Sequence, residues 1–368
     1  MFNQAQFLED LKTFIGFRTV VHHNPREFHE AHAWIKSFFE AQTTDFVELE
    51  YNGYLSLIIK PKGSPRPRLL GDGHIDVVPG EAHLFGLRQV NGLIYGRGVA
   101  DMKTQCLMMM TVLRALIAEG NHHDFWLLLT EDEEAGSENG VAKVVDYLCE
   151  QDWWPRWVFA PDGGPDFAYV EKEKGVISFT TIMPGQAAHA SRPYLGKNAI
   201  EQMIAFYQKL QAVYPNPTSP QDWGISLSMT AISGGTAFNQ IPDVCRAGFD
   251  VRFTEQDNSG DIIAQIKQIA QSFGAEITID QIGPATYYPR EAPVAQRYID
   301  ILREVSGKSP RIIHSNGASN GRLYVAKNKE THVLMSNPTV AGSHAVDENL
   351  TLGSLEPYYR LVLATAQL

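Results

Sequence analysis

Cysteine is scarce: Cys106, Cys149 and Cys245 are the only three in 368 residues, with no CxxC pair and one necessarily left over. That count excludes a disulfide framework and reads as buried thiols of a reducing compartment. Long apolar runs are missing too. No uncharged apolar stretch reaches the ~18 residues that a membrane span requires. The first residues, MFNQAQFLEDLK, carry acids where a secretory signal has bases and an apolar run. Positive charge is also short, with 31 basic against 42 acidic residues and a net charge of −11. A binder of phosphate backbones needs a basic face, so nucleic acid is not an expected partner. What is present suits a globular protein: 44% hydrophobic residues can build a sizeable core without staples. At ~150 residues per domain the length suggests two domains, or one with an insertion. The expectation is a soluble, cytoplasmic protein with no membrane partner.

Neither repeats nor low-complexity tracts occur. Residues 2–16 and 26–41 carry apolar side chains at helical spacing. The runs 55–59, 67–70, 125–129, 157–160 and 332–335 look like strands buried on both faces, as in parallel sheets. Between them, 102–118 places Met102, Cys106, Met109, Met110, Leu113 and Ile117 on one helical face, and 140–149 and 294–305 repeat the theme. Alternating strands and helices predict an α/β domain around a mostly parallel sheet. The middle of the chain differs. Strand 176–183, helix 198–214, strands 225–233 and 245–253, helix 261–273 and strand 275–282 follow the β-α-β-β-α-β order of a ferredoxin-like unit. The predicted organisation is therefore a larger domain made of 1–176 and 289–368, with an α+β domain inserted at 177–288.

Potential metal ligands fall at five places in the sequence, near predicted strand ends or in the loops beyond them. His74 lies in GDGHIDVVPG, Asp101 in YGRGVADMK, Glu133 and Glu134 in TEDEEAGSENG, Asp162 in APDGG and His344 in AGSHAVDE. Ligands of open α/β sheets bind outside the carboxyl ends of the strands. Histidines mixed with carboxylates suit zinc, and also manganese or cobalt. One tetrahedral zinc needs fewer donors than this, so two ions sharing a bridging carboxylate is the economical arrangement. Paired ions ~3.5–4 Å apart can polarise a carbonyl and generate hydroxide near neutral pH. Asp76, two residues after His74, can fix the histidine tautomer. In the Glu133–Glu134 pair, one carboxylate can bind metal while the other takes a proton from water.

Each feature has a plainer alternative. His74-x-Asp76 could be surface polarity, the EDEE run a solvated turn, and Asp101 a helix cap. GRGVAD resembles a dinucleotide loop, although Asp101 stands where the third glycine of GxGxxG belongs. Met108–Met110 suit core packing. His22, His23, His122 and His123 read as exposed loop residues without metal-binding spacing.

The ordered set GHIDVVP, YGRGVADMK, TEDEEAGSENG, GQAAHAS, GGTAFNQIPD, SNGASNGR and GSHAVDE resembles the two-zinc metallopeptidases over almost the whole chain. That family includes aminoacylase, acetylornithine deacetylase, succinyl-diaminopimelate desuccinylase, carboxypeptidase G and peptidase T. The resemblance implies a zinc-peptidase-like catalytic domain and an inserted dimerisation or lid domain. By position it implies that Asp101 bridges two ions, His74 and Asp162 completing one, Glu134 and His344 the other. Asp76 would orient His74, and Glu133 would act as general base and then acid. His189, in GQAAHAS, would reach the partner's active site in a homodimer and stabilise the oxyanion; alone it reads as a surface-turn histidine. Asn239, Arg252 and Arg322 stand where relatives contact the substrate carboxylate, and each could equally serve a structural ion pair. Gly317 and Gly321 would let backbone approach the ligand.

Two departures bear on substrate. The segment between Pro79 and Gly96 lacks the Trp-x-x-x-Pro-Phe stretch of deacetylases and desuccinylases, and Asp162 replaces their usual glutamate. Asp162-Gly163-Gly164 leans towards the peptidase T branch. The expected function is a metal-dependent exopeptidase that cleaves short peptides at an amide next to a free carboxylate. An N-acyl amino acid deacylase is the alternative, and a non-catalytic metal-dependent binding protein or a nucleotide-binding oxidoreductase are rivals from other classes.

Overall fold

A computed structural model describes residues 2–21, 24–120, 124–219 and 221–368. His22, His23, His122 and His123 lie outside the described residues. Contacts divide the chain into two compact units: Met1–Glu171 with Tyr288–Ser315 and Ser319–Leu368, and Lys172–Tyr287 with Asn316–Ala318. Their limits differ by a few residues from the pattern changes at 177 and 288.

The first unit is built on a six-stranded sheet in the spatial order Thr44–Tyr51, Tyr54–Pro61, Phe125–Thr130, Leu69–His74, Trp157–Phe159, His332–Leu334. The last four strands run parallel, so the sheet is mostly parallel, as expected. The strand containing residues 55–59 is an exception: it runs antiparallel to both neighbours. The reason is local. Asn52 and Gly53 both take positive φ, 53° and 84°, a two-residue hairpin turn of the Asn-Gly type that reverses the chain between Tyr51 and Tyr54. A second Asn-Gly turn, Asn91–Gly92, joins Arg88–Val90 to Leu93–Tyr95. This hairpin extends into a small sheet with Asn349–Thr351 and Val340–Ala341.

The helix Lys103–Ala118 has no glycine or proline and is rich in Leu and Met, which favours helix. It does not bury one stripe only, because every residue from Lys103 to Met110 is buried. The Met-rich run serves core packing. Gly71 and Gly73 let this helix approach the strand Leu69–His74. A Cβ at Gly71 would meet Met109 Sδ at 2.8 Å, and one at Gly73 would meet Cys106 Sγ at 2.6 Å. Cys106 and Cys245 are buried, whereas Cys149, near the end of the helix Val141–Glu150, is exposed. Cysteine scarcity alone does not place a thiol in the core.

In the second unit an antiparallel sheet runs Ser226–Gly234, Val244–Phe253, Gly175–Pro184, Glu276–Gly283. With the helices Ala199–Val213 and Ser259–Phe273 this is the ferredoxin-like arrangement. Alternation in Val244–Phe253 buries Cys245, Ala247, Phe249, Val251 and Phe253 on one face. Phe249 stacks on Phe179 with centroids 4.7 Å apart. Asn198 and Asn258 cap the two helices through their side chains. Among the described residues, no helix is long and apolar enough to cross a membrane.

Candidate metal centre

Parallel register aligns the carboxyl ends of the central strands: Gly71 lies opposite Phe159, and His74 opposite Thr130. His74 is the last residue of its strand, and Glu133, Glu134 and Asp162 sit three or four residues beyond the ends of theirs. His344 reaches the same edge from the loop between Val340–Ala341 and Asn349–Thr351, with its backbone at φ 68°.

Two donor groups result. His74, Glu133 and Asp162 bring one ligand atom each within 4.8 Å of one another, and Asp101, Glu134 and His344 do the same. Asp101 faces both histidines. Its Oδ1 is 3.0 Å from His74 Nε2 and its Oδ2 is 3.2 Å from His344 Nε2. His344 Nε2 is also 3.1 Å from Glu134 Oε1. On the other side of the His74 ring, Nδ1 donates to the main-chain carbonyl of Asp76 at 3.0 Å, with the Asp76 carboxylate slightly farther at 3.4 Å. That leaves Nε2 directed at the donor cluster. The Asp76 carboxylate accepts from the Glu134 amide at 2.9 Å, so it also holds the acidic loop.

Electrostatics report an excess of negative charge. Hydrogen bonds to Asp101 and Glu134 raise the His344 pKa to about 10. Burial opposes a charged His74, yet its bonds to Asp101 and Asp76 raise its pKa well above the ordinary value. Burial also works to raise Asp101, but the two histidines outweigh it and hold the carboxyl below its usual range. Glu133 behaves in the opposite sense. Burial first, and then the Asp101 and Asp76 charges, push it up to about 8 against the pull of His74 and Arg322. Two imidazoles, a carboxylate split between them and surplus acid form a donor set that fits divalent cations.

The plainer alternatives fare differently. The helix after Asp101 has Met102 at its N-cap position, with no side-chain cap bond. The amides of the dinucleotide-like GRGVAD loop are already engaged. The N–H groups of Gly98, Ala100 and Asp101 donate to Glu348 Oε1 at 2.9, 2.9 and 3.2 Å. Arg97 Nη1 donates to Glu348 Oε2 at 2.6 Å. The loop is thus an anion cradle whose anion is internal. Sequence reasoning missed Glu348 and Arg97; the signal available was the amide-rich loop itself, which wants a carboxylate as much as a phosphate.

The remaining candidates are spread over both units. Arg322 is buried in the first unit and donates from Nη1 to the Ser319 carbonyl at 2.6 Å. Asn320, its neighbour, links the buried Asp72 to Ser137 in the acidic loop. Gly321 is required by packing rather than by a ligand, because a Cβ there would meet Tyr288 Oη at 2.8 Å. His189 and Asn239 are exposed in the second unit. There His189 pairs with Gln240, and Asn239 accepts from the Ala190 amide. The Ser191 amide, which can only donate, points at His189 Nδ1 at 3.2 Å, so in the neutral ring Nε2 carries the proton. Arg252 spends its Nε–Nη2 edge on Asp250, at 2.9 and 3.1 Å. Gly164 has φ 71°, and a Cβ there would lie 2.5 Å from the Ala168 carbonyl. Local packing therefore accounts for the glycine in Asp-Gly-Gly.

Residues 70–368 match Peptidase family M20/M25/M40. Among curated proteins, the chain is 26% identical to a succinyl-diaminopimelate desuccinylase of Thioalkalivibrio sulfidiphilus, over 82% of this chain and 83% of that one. It is 27% identical to the desuccinylase of Delftia acidovorans, over 83% and 82%. Among solved structures, an M20 family metallo-carboxypeptidase from Sulfolobus solfataricus superposes with a TM-score of 0.83 at 15% identity, covering 99% of both chains. A tripeptidase from Staphylococcus aureus superposes at 0.77 with 19% identity, covering 100% of both. These two likenesses speak for the fold.

Proposed function

The chain belongs to peptidase family M20/M25/M40, a family of metal-dependent hydrolases, and on that premise we propose a two-zinc exopeptidase that cleaves a short peptide at an amide next to a free carboxylate. The observation that carries the two-ion proposal is the split of Asp101, one oxygen towards each histidine. His74, Asp101 and Asp162 would hold one ion, and Asp101, Glu134 and His344 the other; manganese or cobalt suits the same donors. Bound there, such ions supply Lewis acidity and bring the pKa of a ligated water towards neutrality.

The chain's own groups do the rest. Glu133 takes the proton of the attacking water and passes it to the leaving amine; in the metal-free site burial already raises its affinity for a proton. Asp76 keeps the His74 ring in its ligating orientation. His189 offers its Nε2 proton to the oxyanion, and it acts from the partner subunit of a homodimer. In support, the exposed apolar side chains Tyr194, Leu195 and Phe238 flank the His189–Gln240 pairing, a surface suited to a second copy of the chain. Arg322 in the first unit, and Asn239 and Arg252 in the second, are the candidates for recognising the substrate carboxylate. Free thiols support a cytoplasmic setting.

The Asp162 side chain, one methylene shorter than the glutamate of deacylases, leads us to put short peptides first. A second arm, N-acyl amino acids, is favoured by the desuccinylase relatives. The test is amine release from matched dipeptides, tripeptides and N-acyl amino acids, with zinc or manganese, before and after chelation. Cleavage of peptides alone supports the first arm and cleavage of acyl amino acids alone the second. Silence across the panel with metal bound would leave a binding protein.

A further inference from the structure

Glu348 is buried, four residues after His344, at the start of the strand Asn349–Thr351. That strand pairs with Leu93–Tyr95, Asn349 opposite Tyr95 and Leu350 opposite Ile94. Two loops therefore leave one edge of one small sheet, residues 96–101 ending at Asp101 and residues 342–348 containing His344. Glu348 ties them together. One of its oxygens accepts from the amides of Gly98, Ala100 and Asp101, and the other from Arg97 Nη1. Arg97 Nη2 lies 3.4 Å from the His344 carbonyl as its acceptor.

We propose that Glu348, braced by Arg97, is a positioning residue that sets His344 in register with Asp101 and so builds the ion position shared by Asp101, Glu134 and His344. This rests on the two-ion proposal above. A three-amide clamp fixes the backbone of the loop on which the Asp101 carboxylate is carried. The short tether from 344 to 348 gives the histidine the same reference point. The other ion position shares Asp101 but draws His74 and Asp162 from strand ends of the six-stranded sheet, so the clamp reaches it through Asp101 alone. The clamp should therefore matter unequally to the two ions. Partners that orient metal ligands typically contribute 10–100-fold in affinity.

The experiment is zinc titration of the metal-free full-length protein against a competing chelator, with His344→Ala identifying which step belongs to the His344 ion. Glu348→Leu, which removes both acceptor oxygens, should weaken that step about 10–100-fold while the other, which shares only Asp101 with it, weakens less. The paired variant Arg97→Met/Glu348→Leu removes both buried charges together, so it stays testable if the single variant does not fold, and it should show the same selective loss. Arg97→Met alone keeps the three amide bonds and should weaken the His344 step less than Glu348→Leu. Equal weakening of both steps, or two unchanged steps in the paired variant, overturns the proposal while the two-ion centre stands. A parent protein that binds fewer than two zinc ions overturns both.

Discussion

Replacing Glu133 by glutamine exchanges one oxygen for an amide nitrogen at nearly constant volume, and it separates catalysis from stability. His74 and Asp162 lie with Glu133 in a group whose donor atoms are within 4.8 Å of one another, and the isosteric side chain leaves their geometry in place. The lost function is proton acceptance. A positioned general base contributes about 10²–10⁴-fold, which at 1.36 kcal/mol per tenfold is about 3–5 kcal/mol of barrier. Turnover should fall below about 1% of the parent value with zinc binding retained. Stability should move the other way. Burial, with the charges of Asp101 and Asp76 behind it, raises the Glu133 pKa from 4.5 to about 8. A carboxyl with a raised folded pKa binds its proton more tightly in the folded state, so the metal-free parent loses stability as pH rises from 4.5 to 8. Glutamine does not titrate. Against the parent, the metal-free variant should gain in urea midpoint across that window, with the gap complete above it. Single-turnover kinetics and urea denaturation at pH 5 and 8.5 read the two arms. Turnover above 1% of the parent would refute the base assignment, and a stability difference that ignores pH would refute the electrostatic argument.

Three further outcomes follow from other contacts. His189→Ala should lower turnover by about 10²–10³-fold with an unchanged melting temperature, because the ring is exposed; mixing it with Glu133→Gln under subunit exchange should restore activity, and no restoration would sink the trans assignment. Tyr324→Phe removes the 2.6 Å donor to the buried Asp72, whose pKa burial already lifts to about 6. It should cost about 1–3 kcal/mol, more at pH 8, where Asp72 is charged, than at pH 5; an equal loss at both pH values in urea titrations counts against it. Phe249→Ala deletes half of the 4.7 Å stack on Phe179 and should cost about 3–5 kcal/mol in chemical denaturation, a loss under 1 kcal/mol being the contrary result.

Much of the architecture could be read locally. Alternation in 244–253 and helical spacing in 259–273 are properties of neighbours along the chain, and the β-α-β-β-α-β order follows from reading them in turn. The direction of the strand Tyr54–Pro61 was readable too, since Asn52–Gly53 forces a hairpin, but an apolar run draws attention away from a two-residue turn. The exposure of Cys149 was not readable, because composition does not say which helix face meets solvent.

The candidate centre divides in the same way. Residue types and their places after strands are sequence properties, so His74, Asp101, Glu133, Glu134, Asp162 and His344 could be named from the chain alone, and a parallel sheet brings its strand ends to one edge whatever the loops do. Which oxygen of Asp101 faces which histidine, that His74 leans on the carbonyl of Asp76 before its carboxylate, and that Arg252 already holds Asp250 were decided only by the fold. So was Glu348, 247 residues from Asp101 in the chain and 3.2 Å from its amide. Hydrogen bonds act over a few ångströms, and only the pairing of Asn349–Thr351 with Leu93–Tyr95 turns that sequence distance into contact.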